Sequence, residues 1–299
     1  MNNLPNFLVI GVAKSGTTAL YHHLQAHPEV YMSPVKEPNF FSYEGQTPEL
    51  AFKPDATITR LEDYYALFEG ARGEKAIGEA SPRYFHSPVA PARIRTRIPD
   101  ARLIALLRHP VERAFSQYMM MLNAGAYPYR PFEQVFREKA RSVETWDQEP
   151  LACYGFKLSF YYDSLKRYFD CFSRDQIRIY LFEEYVSDPR SLLSDLFRFL
   201  DVDTEFVPDL QARFNPTHGV PKSMWLQQTV MRPNWLKTMA QSMVPTRVRK
   251  KVSAAILRTL RTSKPVLDDE VRRKFAMIYR DDILKVQDLL GRDLSVWLR

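Results

Sequence analysis

The chain is poor in cysteine, modest in glycine and free of long apolar runs. Its two cysteines, Cys153 and Cys171, fall in no metal-ligand or redox spacing. That excludes a disulfide-stapled scaffold and a zinc finger, and the expectation is free thiols in a reducing, cytoplasmic setting. No stretch approaches the roughly 20 apolar residues of a membrane-spanning helix. The opening Met1-Asn2-Asn3-Leu4-Pro5-Asn6 puts no basic charge ahead of the apolar run behind it, which is not the form of a signal peptide. Repeats and low-complexity tracts are missing, so solenoids and linkers are set aside. With 10 glycines, 45% hydrophobic and 26% charged residues in 299, collagen-like and wholly disordered chains are excluded as well. The length suits one large α/β domain or two small ones with a proper core, and a single domain over 1–299 is expected.

Acid is missing from one region in particular. The net charge is +7, yet residues 210–267 contain no Asp or Glu and eleven Lys or Arg. The rest of the chain is therefore slightly acidic, and the asymmetry predicts that one region faces an anion. Phosphate, sulfate, nucleic acid and lipid headgroup are all candidates. The mix of Leu, Met, Ile and Val with basic residues over Trp235–Lys264 predicts a mainly helical lid or cap. It could cover an acceptor cleft or touch an anionic membrane surface.

Strands alternate with helices. Phe7–Val12 is a continuous apolar run of the kind shown by buried parallel strands, followed by a polar loop and a helix over Ala19–Ala26. Further strands are expected at Val30–Ser33, Lys75–Glu79, Arg102–Leu107 and Gln176–Phe182. Helices are expected near Pro88–Ile98, Val111–Leu122, Phe132–Lys139, Phe156–Phe169, Pro189–Leu200 and Asp268–Leu290. This order predicts an α/β, P-loop-like three-layer fold with a central parallel sheet flanked by helices. Ligands in such sheets lie beyond the carboxyl ends of the strands.

Two post-strand segments carry the chemistry. Gly11-Val12-Ala13-Lys14-Ser15-Gly16-Thr17-Thr18 has the glycine spacing of a phosphate-binding loop at a helix N-terminus. The nucleotide-hydrolase form has lysine directly after the second glycine. Here Thr17 stands there and the lysine is Lys14. The strand Leu103–Leu107 runs into Arg108-His109-Pro110, where an ATPase would present a carboxylate for Mg²⁺. A cation there attracts a second phosphate and repels a metal. Ser116, about two turns into the helix that Pro110 opens, can share an anion with Arg108. A P-loop kinase and a nucleic-acid or membrane-surface binding protein remain as alternatives. The kinase is opposed by Thr17 and Arg108, and the binding protein by the lack of a groove-reading motif.

These elements, in this order and about ninety residues apart, resemble the donor-binding motifs of sulfotransferases that use 3′-phosphoadenosine-5′-phosphosulfate (PAPS). The similarity extends to His27–Phe41, Gly78–Phe85, Ile177–Leu200 and Leu289–Leu294, and is closest to heparan-sulfate-type and bacterial carbohydrate members. The resemblance implies that Lys14, Ser15, Gly16, Thr17 and Thr18 hold the 5′-phosphosulfate, with Lys14 stabilising the leaving phosphate. It implies that Arg108 and Ser116 hold the 3′-phosphate, that Tyr161 sits near the adenine, and that Lys222 reaches the 3′-phosphate from a closing loop. Glu37 matches the family's catalytic carboxylate, with Glu79 as its rival. The implied reaction moves a sulfuryl group to a hydroxyl of a carbohydrate or glycosylated small molecule. It releases 3′,5′-adenosine bisphosphate and calls for no metal and no nucleic acid. One departure is Ala80, where heparan-sulfate-type members carry a substrate-contacting lysine. It weakens the case for a heparan-like acceptor more than the case for the donor.

Overall fold

The computed structural model describes residues 4–46, 57–124, 130–140, 155–211 and 265–299. Contacts divide the chain into two compact units. The first comprises Met1–Arg113, Leu158–Asn215 and Ala276–Arg299, and the second Ala114–Lys157 and Pro216–Phe275.

The first unit contains a five-stranded, all-parallel sheet: β1 (Phe7–Gly11), β2 (Val30–Met32), β3 (Ala76–Ala80), β4 (Arg102–Leu107) and β5 (Ile177–Leu181). The strand order is β2-β3-β1-β4-β5. Every strand expected from the sequence is present within two residues of its expected ends. Alternate residues serve the two faces. Phe7, Val9, Ile104 and Leu106 join Leu20 and Leu24 of α1 (Thr17–Gln25) and Leu193, Leu196 and Phe197 of the helix Pro189–Leu200 in one buried cluster. The intervening Leu8, Ile10, Leu103, Ala105 and Leu107 are equally buried, so both faces are covered as a parallel sheet requires.

Strand order also locates the site. The chain leaves β1 toward β2 and β3 on one side, then crosses to β4 on the other. β1 and β4 are adjacent, with Leu8 opposite Leu103 and Val9 opposite Ile104. Their following loops therefore diverge at a topological switch point, where such sheets bind ligands. The Val12 N–H donates to the Leu106 carbonyl at 2.9 Å, which extends the pairing to the threshold of Lys14 and Arg108.

One predicted helix is shorter than expected. The helix anticipated over Phe156–Phe169 is interrupted, and its regular part runs Tyr162–Cys171. The Asp282 carboxylate accepts from the backbone N–H of Tyr161 at 2.8 Å and of Tyr162 at 3.1 Å. It caps that helix from 120 residues away, a tertiary start signal that no local pattern announces. Likewise Asp268–Leu290 resolves into Asp269–Ala276, a tight turn over Met277–Tyr279, and Arg280–Leu290. In the second unit, Phe132, Phe136, Phe156 and Phe275 form a ring cluster, with Phe136 and Phe275 stacked at 4.1 Å. Most of the acid-free segment 210–267 lies outside the described residues.

Candidate functional site

The turn after β1 depends on backbone that most residues avoid. Lys14 has φ 75° and Gly16 φ 87°. A Cβ on Gly16 would meet the Phe182 ring at 3.1 Å, and one on Gly11 would meet Phe85 Cβ at 2.6 Å. Both positions therefore require glycine. Lys14 adopts the left-handed region with a side chain, at a cost of about 1 kcal/mol, a form of strain that clusters at functional sites.

Gly16 stands at the N-cap of α1, which has no side-chain cap and no acidic residue in its first turn. The first-turn amides and the positive end of the helix dipole therefore face the loop without an internal anion. Ser15 is completely buried, and its hydroxyl has no hydrogen-bond partner among the described residues. A buried polar atom of that kind marks a place where a partner belongs. Thr17 is buried and Thr18 half-buried at the head of the same helix.

Arg108 comes directly to this loop. Its Nη1 donates to the Lys14 carbonyl at 3.1 Å, and its Nη2 pairs with Glu112 at 3.1 Å. The guanidinium lies over the Phe182 ring at 4.5 Å, so the residue that opens the helix after β5 touches both arms of the switch point. Tyr161 is fully buried between Trp297 and Phe85. Its hydroxyl donates to the Arg108 carbonyl at 2.8 Å. In this structure it is a brace beneath the arginine and shows no open face. Ser116 is half-buried on the helix Pro110–Asn123, in the portion belonging to the second unit. Lys222 lies outside the described residues.

Arg113 is the cation that sequence reading missed. It is fully buried, and its Nε donates to Ser159 Oγ at 2.7 Å. That hydroxyl in turn donates to the Pro110 carbonyl at 2.8 Å. The only local signal was an arginine in the first turn of an otherwise apolar helix face. Lys14 registers the crowding: burial chiefly, then the charges of Arg113 and Arg108, pull its ammonium down to about 8, while Glu37 opposes the shift. A site that presses cations together in this way has room, electrostatically, for an anion. An anionic group such as a phosphosulfate therefore fits these cations and the partnerless Ser15 hydroxyl.

Glu37 sits in the loop after β2, where it and Asn39 both have positive φ, 63° and 55°. Its N–H donates to the Ala80 carbonyl at 3.0 Å, and its own carbonyl accepts from Asn39 Nδ2 at 2.7 Å. The carboxylate pairs with Lys36 at 2.5 Å and remains 42% exposed. Glu79 differs on every count. It is 0% exposed, and its Oε1 accepts from the Tyr64 hydroxyl at 3.4 Å. Burial lifts its carboxyl to about 7, against hydrogen bonds from Tyr84, Ser81 and Tyr64. Enclosed in this way, it cannot meet an incoming hydroxyl without the wall opening.

Three of the described histidines, His109, His23 and His27, serve structure. His109 Nδ1 accepts from the Val111 N–H at 3.2 Å, capping its helix. His23 and His27, whose i,i+4 spacing suggests an exposed helix pair, are both buried. His23 is bonded to the Tyr185 hydroxyl at 2.6 Å and His27 to the Asp203 carbonyl at 2.9 Å.

Comparison with known proteins adds the family. A crystallised sulfotransferase from Alicyclobacillus acidocaldarius superposes with a TM-score of 0.72 at 28% identity, covering 99% of this chain and 100% of that one. The human heparan sulfate glucosamine 3-O-sulfotransferase 3B1 is 28% identical over 98% of this chain and 65% of its own length. The membrane-associated sulfotransferase kil1 of Dictyostelium discoideum is 38% identical over 48% of this chain and 29% of its own. The chain thus spans less than two thirds of these two relatives' length. The sulfotransferase domain family matches residues 4–289, and the chain belongs to it.

Proposed function

We propose that the chain transfers a sulfuryl group from PAPS to a hydroxyl of a carbohydrate or glycosylated small molecule, leaving 3′,5′-adenosine bisphosphate. The observation that carries this reading is the meeting of the Lys14 loop and Arg108 at one switch point, with Arg108 Nη1 on the Lys14 carbonyl. In the proposed mechanism, Ser15, Gly16, Thr17 and Thr18 supply backbone and hydroxyl donors to the 5′-phosphate. Lys14 places its ammonium where negative charge grows on the bridging oxygen as the sulfur–oxygen bond breaks, which is electrostatic catalysis by a preorganised charge. Arg108 and Ser116 hold the 3′-phosphate, Tyr161 steadies Arg108 from behind, and Lys222 closes over the nucleotide. Glu37 removes the acceptor's proton, since its carboxylate has access and an attached cation to orient it.

The acceptor class rests on the heparan-sulfate-type relatives and is narrowed by Ala80, which offers no lysine to a heparan-like chain. We further place the protein in the cytoplasm, with the basic segment 210–267 serving as lid or as a peripheral contact with an anionic membrane. No helix among the described residues is long and apolar enough to cross a membrane.

Calorimetric titration tests the donor class without knowledge of the acceptor. 3′,5′-adenosine bisphosphate is expected to bind and ATP–Mg²⁺ to bind weakly or not at all. Tighter binding and turnover of ATP–Mg²⁺ would replace this reading with a kinase.

A further inference from the structure

Arg108 already carries a carboxylate where the proposed reading puts a phosphate. Its Nη2 donates to Glu112 Oε2 at 3.1 Å, and among the described residues that carboxylate has no other partner. A guanidinium grips an oxyanion with two parallel N–H groups, either Nη1 with Nη2 or Nε with Nη2. Both edges include the atom that Glu112 holds. Three other contacts fix Arg108 without it. Nη1 donates to the Lys14 carbonyl at 3.1 Å, the guanidinium lies over the Phe182 ring at 4.5 Å, and the Tyr161 hydroxyl donates to the Arg108 carbonyl at 2.8 Å. The Arg108 side chain is 16% exposed and that of Glu112 30%, so the carboxylate is the partner with water to turn into. Ser116 follows Glu112 by four residues on the continuous helix Pro110–Asn123, the spacing of one helix face. Glu112 thus stands in the chain between the two residues to which the reading gives the 3′-phosphate.

We propose that Glu112 is a competing ligand of Arg108, a built-in anion that the 3′-phosphate must displace and that lowers affinity for donor and product alike. The inference rests on the reading of Arg108 as a 3′-phosphate ligand. A phosphate arriving at either edge of the guanidinium meets the like charge of the carboxylate, so binding requires Glu112 to swing to solvent and give up its pair. The fraction of Arg108 released from Glu112 then scales the apparent affinity. The 3′-phosphate passes unchanged from PAPS to 3′,5′-adenosine bisphosphate and lies away from the bond that breaks. Grip on it is uniform binding, which does not speed the chemical step, and excess grip delays product release. Glu112 limits that grip and returns to Arg108 as the product leaves.

The test is calorimetric titration of Glu112→Gln with 3′,5′-adenosine bisphosphate and with 5′-AMP, which lacks the 3′-phosphate. The Kd for the bisphosphate should fall about three- to tenfold, the worth of one partly exposed charge pair, while the Kd for 5′-AMP stays within about twofold. Glu112→Ala should repeat the gain, since the effect comes from removing the carboxylate and not from a new amide contact. In an Arg108→Ala background, Glu112→Gln should change the bisphosphate Kd by less than about twofold, because the group competed for is gone. A bisphosphate Kd that is weakened in Glu112→Gln overturns the proposal and makes Glu112 an orienting partner of Arg108. An unchanged Kd, or an equal gain for both nucleotides, overturns it as well. Arg108→Ala alone judges the underlying reading. A wild type with no preference for the bisphosphate over 5′-AMP, or a preference that survives Arg108→Ala, removes Arg108 from the 3′-phosphate and the inference with it. A preference lost in Arg108→Ala but unaltered in Glu112→Gln sinks the inference alone.

Discussion

The loop after β1 packs its lysine beside two arginines and pulls its ammonium down to about 8. The loop after β2 instead leaves Glu37 42% exposed against a lysine at 2.5 Å. Both use left-handed backbone at a residue that is not glycine, Lys14 in one and Glu37 and Asn39 in the other. Among the described residues the only other case is Asp201, at the end of the helix Pro189–Leu200. The strain is shared, and the charge environments are opposite. A cradle short of anion and a carboxylate open to solvent are what a transfer reaction between a polyanionic donor and a neutral hydroxyl needs on its two sides.

The strongest way to break this comparison is Lys14→Ala. If the half-buried ammonium acts on the leaving oxygen, kcat should drop about 10³-fold with thermal unfolding little changed. Steady-state transfer to any accepted hydroxyl measures it, and unaltered turnover would leave Lys14 as a binding residue only. Glu37→Gln comes next, with an expected loss of about 10²-fold in kcat and near-normal affinity for 3′,5′-adenosine bisphosphate. A variant that loses both would show that the open loop and the crowded one are not separate in function.

The sequence made the first loop legible because each of its requirements is local: two glycines, a helix start and an apolar strand before them. Arg108 was readable for the same reason, as the residue after a strand whose neighbour a hydrolase would have made acidic. The meeting of the two was legible only as a family resemblance, since it depends on the strand order that puts β4 beside β1. The burial of Arg113 and of Glu79 was not legible. Glu79 lies in the apolar strand β3 and Arg113 in the first turn of a largely apolar helix, and their cover comes from elsewhere in the chain, Tyr64 over Glu79 and the Ser159–Tyr161 turn over Arg113 and Arg108. Periodicity reports which face of an element is apolar, and it is silent on a charged residue that tertiary packing takes in with its partners.

That long-range packing gives a smaller prediction on the cradle side. Asp282 holds the amides of Tyr161 and Tyr162, and Tyr161 holds Arg108. In Asp282→Asn one amide would face an NH₂ group in place of an oxygen, at a cost of about 1–3 kcal/mol for the buried mismatch. Nucleotide affinity should weaken several-fold through the displaced Arg108, with kcat at saturation nearly kept. Calorimetry beside a melting curve separates the two effects. Full affinity in a destabilised protein would reduce the Asp282–Tyr161 pair to a packing role.

The finest test of the contrast is the pH dependence of nucleotide binding. Burial chiefly, then the charges of Arg113 and Arg108, hold the Lys14 ammonium down at about 8. A bound phosphate places negative charge beside it and must raise that value, because an opposite charge favours the protonated form. The complex therefore holds more protons than the free protein above about pH 8, so binding takes up a proton and affinity falls as pH rises. The limit is about tenfold per pH unit for one proton, so a loss of a few-fold between pH 8 and 9 is expected. Calorimetry in buffers of different ionisation heat counts the protons directly. Lys14→Ala should flatten the dependence, whereas Glu37→Gln should leave it standing, slightly displaced to lower pH, because Glu37 helps hold the Lys14 charge. An affinity that is level through pH 9 in the wild type would mean that the lysine is already screened, and the cradle would then be no more starved of anion than the loop it is set against.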